Sequence, residues 1–199
     1  INATGGVRGA DGTFFQLELI IQPVSDGITI ADAVNQLSQS NVIAILGPET
    51  SNEVLNNLQT LQSLSLPVIT PATGDTILAS DTTGRIFRSR AAEVIQGRAL
   101  ADYLITDLQI QSIAAVQLDV DINTAASLIG FSTAASALGR APQPVLQAQS
   151  NDNFPQIVNQ IVLTNSEIVV AYGAATNASE FYNRLRAGGW EGFFAYNQA

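Results

Sequence analysis

Cysteine, histidine, methionine and lysine are all absent from the 199 residues. Their absence removes thiol and imidazole nucleophiles, imidazole and amine general bases, and the soft or nitrogen ligands of most transition-metal sites. Enzyme chemistry would have to activate Thr50 or Ser51 with a carboxylate, an uncommon arrangement, and the chain reads as a non-enzyme without a cofactor. A chain free of cysteine also survives an oxidising compartment without mispairing. Positive charge is scarce: eight arginines face 17 acidic residues, for a net charge of −9. Nucleic acid is excluded as a partner, because binding a phosphate backbone needs clustered positive charge. No apolar run is long enough for a membrane span, and the first residues do not form a signal peptide, so any targeting segment is expected outside this sequence.

What remains is material for a core: 46% hydrophobic and 13% charged residues suit one large domain or two lobes. The organising stretch is Val42 to Glu53, an apolar run that stops at Gly47-Pro48 and restarts on hydroxyls. It reads as strand, turn and helix start, with Thr50 and Glu53 spaced for a capping box. Thr50 and Ser51 with free backbone donors would form a polar cradle at the carboxyl end of a strand, where open α/β sheets bind ligands. The same residues would cap a helix with nothing bound.

Around this stretch, Ile1 to Gly9 reads as a helix tail stopped by paired glycines, and Phe14 to Gln22 as a strand ended by Pro23. A helix is expected from Thr29 to Leu37, another with Val54, Leu55, Leu58 and Leu61 on one face, and strands at Leu66–Thr70 and Ile86–Arg88. Pro71 to Asp75 is a second polar, glycine-bearing loop. After Arg90 the pattern restarts: helix Glu93–Asp107, strand Ser112–Leu118, helix Thr124–Leu138, strand Pro144–Gln147, helix Phe154–Leu163, strand Glu167–Tyr172, helix Ala178–Ala187 and strand Phe193–Ala195. This alternation predicts parallel sheets with helices on both faces, in two units, residues 1–90 and 91–199.

Asp119 to Asn123 imitates the start of a calcium loop, but Thr124 and Gly130 stand where glycine and glutamate are needed, so no metal site is assigned. Asn2-Ala3-Thr4 and Asn177-Ala178-Ser179 fit glycosylation sequons, a match that also suits helix-end residues. Arg85, Arg88, Arg90 and Arg98 cluster near the unit boundary and read as a solvated or ion-paired face.

Several segments in order, Ile1 to Gly9, Ile45-Leu46-Gly47-Pro48 before Thr50-Ser51, Pro67 to Ala72, Phe87-Arg88-Ser89, Gln96 to Ala101 and Arg184 to Gly189, resemble the type I periplasmic binding proteins of the branched-chain amino-acid transporter group. The resemblance implies an α/β fold of two doubly wound parallel-sheet lobes joined by a hinge, the first lobe incomplete because its opening strand and its returning segment are missing. A second copy or a further segment is expected to complete it. The implied function is the solute-binding component of an ABC importer, periplasmic or extracellular, that closes on a small polar or amino-acid-like ligand and delivers it to a permease. The alternative is the ligand-sensing domain of a larger receptor.

The ligand-binding residues implied are Glu49, Thr50, Ser51, Ala72, Thr73 and Gly74 in the first lobe and Ile122, Ala174 and Gln198 in the second. Ser51 matches the hydroxyl that meets a ligand carboxylate in amino-acid binders of the family. Ala72 matches a position whose backbone faces the ligand, while Gly74 replaces a frequent hydroxyl. Ile122 and Ala174 fall where aromatic side chains commonly cover the ligand. Gln198 falls where a carboxylate would pair with an α-ammonium group, which implies a less charged or amide-bearing ligand.

Overall fold

Short apolar runs separated by glycine, proline or hydroxyl stops become the parallel strands of two sheets. The computed structural model describes residues 1–25, 27–119, 122–148 and 150–197, with 122 and 123 described by their backbone alone. The opening segment makes a 3-10 turn, Asn2–Thr4, ended by Gly5 at φ 103°. A hairpin follows, pairing β1 (Val7–Arg8) with β2 (Phe14–Phe15).

The strand expected over Phe14 to Gln22 ends at Phe15. Among the described residues no strand lies beside residues 16–22, and a strand exists only where its backbone groups find a partner ladder. Leu19 and Ile21 are consequently 70% and 76% exposed. The Asn2 side chain substitutes for a ladder at one residue, donating to the Leu17 carbonyl at 2.6 Å and accepting from the Leu17 N–H at 2.8 Å.

The first parallel sheet has the order β3 (Ile45–Leu46), β4 (Val68–Thr70), β5 (Ile86–Arg88). Four helices accompany it: α1 (Ile30–Ser38), α2 (Ser51–Asn56), α3 (Leu58–Ser63) and α4 (Thr76–Ser80). The single helix expected through Val54 and Leu61 is split at Asn57, whose side-chain amide donates to the Glu53 carbonyl at 2.8 Å and competes with the backbone ladder. Ile45, Val68 and Ile86 share one buried cluster with Val34, Val54, Leu61 and Ile77 from these helices. On the opposite face Leu46, Ile69 and Phe87 form one cross-strand row and are 67%, 36% and 52% exposed. Among the described residues, helices cover both faces of the second sheet and one face of the first, as suits a first lobe that is incomplete.

That second sheet has the order β7 (Val145–Gln147), β6 (Ile113–Gln117), β8 (Ile168–Tyr172), β9 (Phe193–Asn197), all parallel. Central β6 and β8 are buried along their whole length, as strands covered on both faces must be. Side chains at alternate positions enter two clusters. One lies under α5 (Glu93–Asp102), which continues as a π-helical turn over Tyr103–Asp107, and α6 (Ile122–Ala137). The other lies under α7 (Phe154–Thr164) and α8 (Ala175–Ala187).

Helices α5 and α6 meet backbone to backbone. A Cβ on Gly97 would overlap the Ser127 carbonyl and stand 2.8 Å from the Phe131 nitrogen, and one on Gly130 would overlap the Val94 carbonyl. No helix among the described residues is long and apolar enough to cross a membrane.

Candidate ligand-binding site

At the carboxyl end of the first sheet, Gly47 takes φ 114° and leads through a cis bond to Pro48. Both bonds of the capping box form: the Thr50 N–H donates to Glu53 Oε2 at 2.9 Å, and the Glu53 N–H donates to Thr50 Oγ1 at 3.3 Å. Thr50 is exposed and engaged at the cap, whereas Ser51 is 6% exposed. Its hydroxyl accepts the Gly74 N–H at 2.9 Å. As acceptor of that bond Ser51 keeps its own proton to donate. The loops after β3 and β4 are thereby stitched together, and Gly74, which lacks a hydroxyl, contributes through its backbone.

Two residues complete this cradle that sequence reasoning did not assign to it. Thr70 Oγ1 donates to the Pro48 carbonyl at 2.6 Å and accepts the Ala72 N–H at 3.0 Å. Arg88 Nη1 donates to the carbonyls of Thr73 and Gly74 at 3.1 and 3.3 Å. The signal for Thr70 was a hydroxyl ending an apolar strand; Arg88 was read as part of a solvated face and instead holds backbone. Arg85 likewise donates to the Leu64 carbonyl, at 2.6 Å. Ala72, Thr73 and Gly74 are buried. Glu49 is exposed and lines a groove of about 300 Å³ with Val24, Val34, Ile45 and Leu46, beside β3.

In the second sheet, Ala174 is the exposed N-cap of α8. Its N–H donates to Asp119 Oδ2, and Asn177 Nδ2 donates to Asp119 Oδ1 at 2.6 Å. Asp119 thus fills the anion position that a 13-residue helix offers at its N-terminus. This cap explains why α8 starts at Ala175 rather than at the expected Ala178. Asn177, one of the two sequon asparagines, is engaged here. Ile122 opens α6; its side chain and all of Gln198 lie outside the described residues. The same holds for Val120 and Asp121 of the calcium-like stretch, and no group of acidic residues among the described residues is placed to hold a metal ion.

Strands β6, β7 and β9 each end in an amide side chain, Gln117, Gln147 and Asn197. Gln147 Nε2 donates to Gln117 Oε1 and Gln117 Nε2 to Thr124 Oγ1, both at 2.8 Å, and Asn197 Nδ2 reaches Ser127 Oγ at 3.4 Å. Beside them, burial and then the charge of Asp119 raise the Tyr196 phenol above its ordinary value, so it stays neutral. Among the described residues, the carboxyl end of the second sheet therefore carries these neutral amides and the engaged carboxylate of Asp119. Among the described residues no hydrogen bond joins Ser51 and Gly74 directly to Asp119 or Ala174.

Solved structures that share this fold include the following three. An ABC transporter substrate-binding protein from Desulfitobacterium hafniense, in complex with Leu, superposes with a TM-score of 0.72 at 15% identity, over 98% of this chain and 57% of its own. The branched-chain amino acid transporter substrate-binding protein LivJ of Streptococcus pneumoniae, in complex with isoleucine, gives 0.68 at 19%, over 98% and 54%. The leucine-binding protein LivK of Thermotoga maritima gives 0.66 at 19%, over 83% and 47%. The chain thus spans about half the length of these proteins. All three are binding proteins rather than enzymes. The comparison with curated proteins returned no match. The family model described as Periplasmic binding protein matches residues 1–197, and the chain belongs to that family.

Proposed function

We propose that this chain acts as the solute-binding component of an ABC importer, in the periplasm or outside the cell, and performs no chemistry on its ligand. Residues 1–90 and 91–199 would form its two lobes, and the liganded protein would dock on a permease. The observation that carries the reading is the Ser51–Gly74 bond, which presents a buried hydroxyl and its donor proton between two loops at the carboxyl end of a parallel sheet. Helix α2 has six residues, too few for a strong macrodipole. The local donors of Ser51 and Asn52 therefore carry the attraction for a ligand carbonyl or carboxylate.

Gln147 and Asn197 would supply neutral partners from the second lobe, with Ile122, Ala174 and Gln198 near the ligand. Asp119 accepts two hydrogen bonds from the start of α8, which hold it at that helix end. This chemistry favours an amide-bearing or weakly charged amino-acid-like ligand over leucine. A thermal-shift screen over amino acids, primary amides and small organic acids tests the reading. A ligand at a hundred times its Kd adds about 2.7 kcal/mol, and a rise of about 5–10 °C is expected for a chain of this size. No rise anywhere in the three classes would contradict it.

The open edge of β3 and the bare row of Leu46, Ile69 and Phe87 support a first lobe that is completed by a second copy or by a further segment. In sedimentation velocity a concentration-dependent dimer would favour the copy, and a monomer the segment.

A further inference from the structure

Burying a carboxylate costs several kcal/mol unless it is paired, yet Glu93 opens α5 at 1% exposure. Thr73 Oγ1, itself on a residue 4% exposed, donates to Glu93 Oε1 at 2.7 Å, a well-formed O–H···O bond. Two weaker bonds run beside it. The Glu93 N–H donates to the Thr73 carbonyl at 3.3 Å, and the Val94 N–H to Asp75 Oδ2 at 3.4 Å. Capping α5 needs only an exposed serine or aspartate; a buried carboxylate gripping a loop of the other sheet goes further than that.

The contact stands at the end of a stiff chain of parts. Helix α5 is locked to α6 by the backbone approach at Gly97 and Gly130, so it moves with the second sheet. Thr73 precedes Gly74, whose N–H holds the Ser51 hydroxyl. From α5 to that hydroxyl there are two hydrogen bonds and one peptide unit, all buried.

We propose that the Thr73–Glu93 bond couples the ligand loop of the first lobe to the orientation of the second, with Glu93 as a positioning residue for Ser51. Rotation of the second lobe carries the α5 start, and the loop from Ala72 to Gly74 follows. Binding and lobe orientation then read each other through this bond. The inference rests on the reading of the Ser51 cradle as the ligand site, but its test uses no ligand.

The cysteine-free chain accepts two spin labels without background, at Gln59→Cys on α3 and Gln160→Cys on α7, both exposed positions. Pulsed electron paramagnetic resonance on the 199-residue chain then reads the distance between lobes. One distance population is expected for the parent and for Thr73→Ser, and a distribution about twice as wide for Thr73→Val. A Thr73→Val distribution that matches the parent overturns the proposal. If Thr73→Val does not fold, amide exchange in the parent decides. Coupling makes the Gly74 and Glu93 amides open together, with protection within about tenfold of each other, and a difference of about a hundredfold overturns it. A ligand screen without hits leaves both measurements interpretable, and a failed coupling leaves the ligand reading intact.

Discussion

Gly97→Ala is expected to lower the melting temperature of the chain by about 6–12 °C. The added methyl would sit against the Ser127 carbonyl and the Phe131 nitrogen, backbone atoms that cannot rotate away. Overpacking of this kind costs about 3 kcal/mol, and each kcal/mol corresponds to about 2–4 °C in a chain of this size. The alternative to that cost is separation of α5 from α6, which would loosen the cluster containing Ala101, Leu104, Phe131 and Tyr172. Gly130→Ala acts on the same crossing from the other helix, so the double variant is expected to lose less than the sum of the singles. Thermal unfolding followed by circular dichroism measures both. A Gly97→Ala melting temperature equal to the parent's would show that the two backbones are not in contact.

Ser51→Ala is expected to act twice, on stability and on binding. Its hydroxyl is the acceptor for the Gly74 N–H in a buried setting, and stranding that donor costs about 1–3 kcal/mol. The same substitution removes the proton that Ser51 offers to a ligand, and an affinity loss of about 10–100-fold follows from a lost hydrogen bond of 1.4–2.8 kcal/mol. Ser51→Thr keeps the hydroxyl and is expected to recover most of the affinity. Calorimetric titration beside a melting curve separates the two effects. Lower stability with unchanged affinity would reduce Ser51 to a loop fastener.

The comparison of these residues shows what a sequence exposes. Apolar periodicity is a local property, so β3 to β9 and the longer helices between them stand close to their expected positions, whereas α4, with five residues, is too short to show a period and is not among the expected helices. The capping boxes at Thr29–Asp32 and Thr50–Glu53, local as well, form with both bonds. Residues 16–22 carry a strand's composition without a strand's partner, and pairing is not written in one segment. The two-helix break at Asn57 turned on which carbonyl one amide would choose.

The site was legible only in part for the same reason. Ser51 announced itself through the turn in front of it, but its partner Gly74 lies 23 positions away. Asp119 reads as a loop acid until the chain returns 55 residues later with Ala174. Glu93 and Thr70 look like a helix start and a strand end, and their roles emerge only when the loops beside them are folded together.

The central claim, that the Ser51–Gly74 cradle receives the ligand, is tested most directly by nitrogen–proton correlation spectra of the labelled chain during titration with pooled amino acids and primary amides. The account predicts saturable shifts of the Ser51, Asn52 and Gly74 amides, displaced in Ser51→Ala to about 10–100-fold higher ligand concentration. Shifts confined to the groove of about 440 Å³ between α8 and β9, lined by Tyr182, Phe194 and Tyr196, with the Ser51 and Gly74 amides unmoved, would contradict it.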